Sequence, residues 1–170
     1  ATRFIFTNAS LETFPFGSQP ALHMMLTKTL APSTSFSPAV LFEGRTVHVN
    51  AFHYFIFFIS RGNDTILRWE LIVLPLISGV LSVFLFQRLL AAFSFSSSTQ
   101  FMTLLALILS PTFISTFTIA SPDSLAIVVL LAGAVMFLSS SLFRTILGCG
   151  MLVAAAFFSL FHALLVLFFL

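Results

Sequence analysis

From residue 71 to residue 170 the chain passes through four long apolar stretches separated by short polar turns. None shows the apolar/polar alternation of a membrane-barrel strand, and an open sheet edge cannot face lipid, so helices are the only spanning elements the pattern allows. Each stretch is long enough to cross a hydrocarbon core of about 30 Å. The pattern therefore predicts transmembrane helices at about 71–90, 101–120, 124–143 and 146–170. The first seventy residues differ in kind. Pro15, Pro20, Pro32 and Pro38 punctuate residues 1–46 among many Ser and Thr, which predicts an extramembrane segment with one short helix at 21–30. Residues 47–60, VHVNAFHYFIFFIS, predict a second helix, and such a stretch rises only about 21 Å. It falls short of crossing, so it is expected to lie in the interface with His48, His53 and Tyr54 near the headgroups. Residues 61–70, RGNDTILRWE, end that helix at Gly62 and open the first span with charges and Trp69 as an anchor. The expected fold is all-α and polytopic: an extramembrane segment at 1–46, an interfacial helix and anchor loop at 47–70, and a four-helix transmembrane domain at 71–170.

Composition strengthens this reading. Hydrophobic residues make up 59% of the chain and charged residues 7%, and the mean hydropathy is +1.13, far from the balance of a water-soluble domain. No phosphate loop, paired Cys-x-x-Cys, Ser-His-Asp order or basic nucleic-acid patch is present. The sequence pI near 9.3 reflects a small Arg and Lys excess among very few charges. Cys149 is the single cysteine and stands in Gly148-Cys149-Gly150, which reads as a small-residue helix contact. Pro75 and Pro111 are expected to kink their helices. Phe occurs 24 times, and ordinary packing and lipid contact account for it. The first residue is Ala rather than Met, which fits either a removed leader or a fragment.

Charge then singles out one position. Beyond Glu70 the only charged residues are Arg88, Asp123 and Arg144. Asp123 lies in Ala120-Ser121-Pro122-Asp123-Ser124 between two apolar runs. An acid beside hydrocarbon is kept for a ligand or held at the interface. Ser121 as cap, Pro122 at the first helical position and a carboxylate in the first turn also make a good helix start, so both roles stay open. With four spans, Glu12, Glu43, Asp64, Glu70 and Asp123 all face one compartment, and Arg88 and Arg144 mark the opposite, cytoplasmic or matrix side. Asn8-Ala9-Ser10 and Asn63-Asp64-Thr65 then become lumenal glycosylation sequons. His162, in Phe161-His162-Ala163, reads as a cross-helix hydrogen-bonding group or a ligand contact.

The order of features from His48 onward resembles the membrane domain of the GT-C glycosyltransferases. The resemblance rests on Phe52-His53-Tyr54 in a juxtamembrane helix, Arg68 at the mouth of the next span, and the small-residue run Leu76-Ile77-Ser78-Gly79-Val80-Leu81-Ser82-Val83 closed by Gln87-Arg88. Ser110-Pro111 and Ser121-Pro122-Asp123-Ser124-Leu125 are similar to the family's later span ends in type and separation. It implies a polyprenyl-phosphate sugar as substrate on the outer face and acids in the outer loops as catalytic groups, here Asp123 and Glu43, with Glu12 the other acid near the chain's start. Asp123 would hold a divalent cation or the acceptor, and His53, Arg61 and Arg68 would bind the donor. The family has more spans than the four expected here, so the resemblance points to a fragment, a split enzyme or a noncatalytic relative in the endomembrane system or plasma membrane. The competing expectation is an accessory subunit of a large membrane complex, such as a respiratory-chain or ATP-synthase assembly of the mitochondrial inner membrane. Membrane lipid and other membrane subunits are expected partners under either, and nucleic acid is not.

Overall fold

The computed structural model describes residues 18–30, 39–42 and 45–159. Among them the chain forms α1 (Ser18–Lys28), β1 (Ala39–Phe42), β2 (Arg45–His48), α2 (Ala51–Ser60), α3 (Asp64–Ala92), α4 (Ser97–Leu109), α5 (Pro111–Thr118), α6 (Pro122–Phe137) and α7 (Leu142–Phe158). The protein is helical, with one departure from the expected all-α fold. β1 and β2 pair as an antiparallel hairpin, Ala39 opposite His48 through Phe42 opposite Arg45. Val47 and His48 therefore belong to a strand, and the helix expected to begin there starts at Ala51. The local reason is Asn50, which sits in extended backbone and accepts a hydrogen bond from the Phe52 N–H at 3.1 Å.

Two compact units account for the chain. The first comprises Ala1–Leu74 together with Ile119–Ser121, and the second Pro75–Thr118 with Pro122–Leu170. In the first, α1 buries His23, Met24, Leu26 and Thr27 while α2 buries Phe52, His53, Ile56 and Ser60. Leu26 and Val49 form a small apolar centre, covered by Leu22, Met25, Leu30 and Val47. Each fully buried large apolar side chain contributes about 1.5–3 kcal/mol. The other face of α2 leaves Tyr54, Phe55, Phe58 and Ile59 exposed, Phe58 by 82%. A short helix with one face packed and the other aromatic and uncovered suits an interface between water and lipid.

Asn63 starts α3 by accepting from the Thr65 and Ile66 N–H groups at 2.9 and 3.3 Å. At 29 residues α3 is about 44 Å long. It is long and apolar enough to cross a membrane, and the bent α4–α5 pair passes the same test as a second span. Leu67, Leu71, Pro75, Ser78 and Ser82 are buried and recur every three to four residues, so they define one face of α3. Pro75 is accommodated within a continuous helix.

The helix expected at 101–120 is broken. Ser110 is extended, Pro111 has no N–H to continue the ladder, and α4 and α5 meet at 61°. Ser110 restarts the chain as a helix by accepting from the Phe113 N–H at 3.1 Å. The stretch expected at 124–143 ends at Phe137, where Ser139, Ser140 and Ser141 intervene. α7 opens earlier than expected, at Leu142, and residues 160–170, with His162, lie outside the described residues.

α6 and α7 approach closely because Gly133 and Gly148 carry no side chain. A Cβ on Gly148 would lie 2.6 Å from the Phe137 backbone nitrogen and 2.8 Å from the Gly133 carbonyl oxygen. Gly150 has nothing within 4 Å and Cys149 is exposed, so only one of the two flanking glycines makes the close contact expected of Gly148-Cys149-Gly150.

Candidate functional site

Polar chemistry in the first unit centres on α2. The Asn50 N–H donates to His53 Nδ1 at 3.1 Å, which completes a reciprocal capping box. That bond places the proton of neutral His53 on Nε2, and Nε2 lies 2.9 Å from Nδ1 of His23. His53 Nε2–H therefore donates to His23 Nδ1. The rings are 5.1 Å apart, with Phe52 edge-on to both. His53 is 1% exposed and His23 8%. Burial, with the nearby His23 as a second cause, pushes the His53 imidazole down to about 3. Both ring nitrogens of His53 are thus used inside the protein, and its part is to fix α2 against α1. Within α1 the Thr27 hydroxyl donates to the His23 carbonyl at 2.8 Å. Lys28 and Asp64 form an exposed ion pair at 2.7 Å between the end of α1 and the start of α3.

The held helix presents Arg61. This residue ends α2 in the left-handed region at φ 51°, donating its N–H to the Phe57 carbonyl at 2.8 Å, and Gly62 follows at φ 77°. A β-carbon is disfavoured at such an angle, and glycine is the usual occupant. With Tyr54, Phe55, Phe57 and Phe58, Arg61 lines an open depression of about 700 Å³. A guanidinium at the rim of an aromatic-lined surface can pair with a phosphate while the rings take apolar chain.

The remaining expected site residues fall as follows. Arg68 is exposed in the second turn of α3. Asp123 is exposed in the first turn of α6, in the second unit. The Ile119–Ser121 turn that leads into it belongs to the first unit, with α1, α2 and the start of α3. Glu43, like Glu12, lies outside the described residues. No cluster of three or more His, Cys, Asp or Glu side chains that could hold a metal ion occurs among the described residues.

Three participants escape a reading of sequence. His23 lies thirty positions before its partner (|i−j|=30), and nothing in its neighbours marks the pairing. Both carboxylate oxygens of Glu70 are buried without a hydrogen-bond partner, as is the Ser82 hydroxyl. The three-to-four-residue recurrence of Leu67, Leu71, Pro75, Ser78 and Ser82 could have placed Ser82 on the inner face of α3. No protein-family model, curated protein or solved structure matches the chain.

Proposed function

We propose that this chain is a polytopic membrane protein of GT-C-like architecture that engages a polyprenyl-phosphate-linked sugar at its outer face. In this reading α3, the bent α4–α5 pair, α6 and α7 are its four spans, and α2 lies along the interface. The observation that carries the proposal is the Arg61 depression, a cation on an aromatic face beside a helix whose exposed side suits the headgroup region. Arg61 pairs with the donor phosphate and Arg68 adds a second cation. The His23–His53 bond positions α2. Asp123 holds a divalent cation or the acceptor.

The test uses the full chain in nanodiscs and measures binding of a polyprenyl phosphate. Arg61→Gln should weaken binding by about tenfold to a hundredfold, the scale of a lost charge-assisted pair of about 1.5–3 kcal/mol. Arg68→Gln should have a smaller effect, and Asp123→Asn should remove any strengthening by Mg²⁺ or Mn²⁺. Binding unchanged by Arg61→Gln would sink the reading.

A second reading, a packing subunit of a larger membrane assembly, is favoured by the uncovered apolar side chains of α7, with Leu142, Phe143, Ile146, Val153 and Phe157 exposed. Native purification decides. Recovery only within a stable many-subunit assembly, indifferent to Arg61→Gln and Asp123→Asn, favours the packing role.

A further inference from the structure

We propose that the cleft between α3, the α4–α5 break and α6 holds one acyl chain of a glycerophospholipid, whose ester carbonyl accepts a hydrogen bond from Ser82. The cleft encloses about 360 Å³. Phe86 of α3, Leu107 of α4, Phe113 and Phe117 of α5, and Ile127 and Leu131 of α6 supply its apolar walls. The Ser110–Pro111 break, which turns α5 by 61° from α4, shapes the opening.

One polar atom in the lining distinguishes this cleft from a plain apolar groove. Ser82 is 1% exposed and its Oγ has no hydrogen-bond partner. Neighbouring hydroxyls are already engaged: Ser110 Oγ accepts from the Phe113 N–H at 3.1 Å, and the Thr116 hydroxyl donates to the Thr112 carbonyl at 2.8 Å. A buried hydroxyl without a partner is costly, so Ser82 calls for an acceptor inside the cleft.

Chemistry narrows that acceptor. Water fits poorly, because each buried water needs two to four polar partners, and beside Ser82 the lining offers only the hydroxyls of Ser110 and Thr116, already bonded within the protein, and the exposed Thr112. A phosphate is excluded, since no Arg, Lys or His lines the cleft and a buried anion needs a counter-charge. What remains is a long hydrocarbon chain carrying one neutral oxygen acceptor, and an ester-linked acyl chain is that ligand in a bilayer. This inference does not rest on sugar transfer; it requires only that α3 lies in a membrane.

The experiment places the full chain in phosphatidylcholine nanodiscs containing a phospholipid with a diazirine in its acyl chain. Illumination should label the cleft-lining Ser82, Phe86, Phe113 and Phe117 well above the exposed Phe84 and Phe101 side chains. Native mass spectrometry after detergent exchange should show one retained phospholipid. Ser82→Ala should lower its occupancy about fivefold, the scale of one neutral hydrogen bond. Ser82→Thr, which keeps the hydroxyl, should retain it, and Leu131→Trp should expel it by filling the cleft. If Leu131→Trp does not fold, the Ala and Thr variants at Ser82 decide alone. Labelling spread evenly over the exposed faces, or equal retention in Ser82→Ala and the unaltered chain, overturns the proposal. Preferential labelling of the cleft by a diazirine polyprenyl phosphate overturns the choice of an acyl ester.

Discussion

The α1–α2 seam and the α6–α7 seam each join two helices, and they do so by opposite means. Between α1 and α2 the contact is made by side chains: His23 bonded to His53, with Phe52, Ile56 and Leu26 buried around them. Between α6 and α7 it is made by their absence, at Gly133 and Gly148, where backbone meets backbone. The difference follows the solvent each seam faces in the proposed arrangement. Near water, burying apolar side chains is itself favourable, and a polar pair can be sealed inside them. Within hydrocarbon there is no such gain, so helices associate through close van der Waals contact between small residues. The first seam should therefore respond to acid and to loss of a side chain, and the second to gain of one.

The sharpest way to break that contrast is Gly148→Val. Its Cβ would meet the backbone of Phe137 at 2.6 Å, which no rotamer change relieves, so the α6–α7 contact should lose more than about 3 kcal/mol. Denaturant titration of helicity in detergent measures it, and a loss under about 1 kcal/mol would mean the helices separate freely. Next in size is His53→Ala, which removes buried packing and leaves His23 without this donor. We expect a cost of about 3 kcal/mol by the same titration, with the α6–α7 seam unaffected.

Acid tests the first seam without mutation. His53 in the unfolded chain binds a proton near 6.5, whereas in the folded chain it does so only near 3. Between these values the unfolded state binds more protons. The His53 contribution is thus fully present above about 6.5 and is lost as pH falls toward 3, at up to about 1.4 kcal/mol per pH unit, or about 2 kcal/mol by pH 5. Amide exchange of α1 and α2 at pH 7 and pH 5 reports this. His53→Phe should flatten the dependence, and an identical slope in that variant would exclude His53 as its source.

Arg61→Gly separates backbone from charge. Glycine relieves the left-handed angle at φ 51°, so stability should rise by about 0.5–1 kcal/mol while phosphate binding weakens. Improved stability with unaltered binding would leave Arg61 a helix terminator only. Gly150→Ala should have the smallest effect, within about 0.5 kcal/mol, because nothing lies within 4 Å of its missing Cβ. A large loss there would show that α7 has a neighbour on this face.

Much of the helical framework was legible along the chain. Apolar length marked α3, the Ser110-Pro111 pair marked a kink, and Ser121-Pro122-Asp123 marked the start of α6. These are local properties: burial demand, a missing N–H, a capping residue. The candidate site was legible only in pieces. His53, Arg61 and Arg68 carried visible chemistry, yet sequence placed His53 beside the headgroups, whereas it is sealed against His23. The strand at Val47 and His48 was also hidden, because a short apolar run looks the same as the beginning of a helix.

By itself, then, the sequence determined that this chain is helical and rich in segments suited to hydrocarbon, and it determined where several helices begin and break. Those outcomes depend on a residue and its near neighbours. Only the tertiary structure decided that His23 meets His53, that Gly148 but not Gly150 lets α7 reach α6, and that Ser82 faces a cleft rather than its neighbours' polar groups. Each of these depends on which residues, distant along the chain, arrive at the same place, and spacing along one helix carries no information about the surface it will meet.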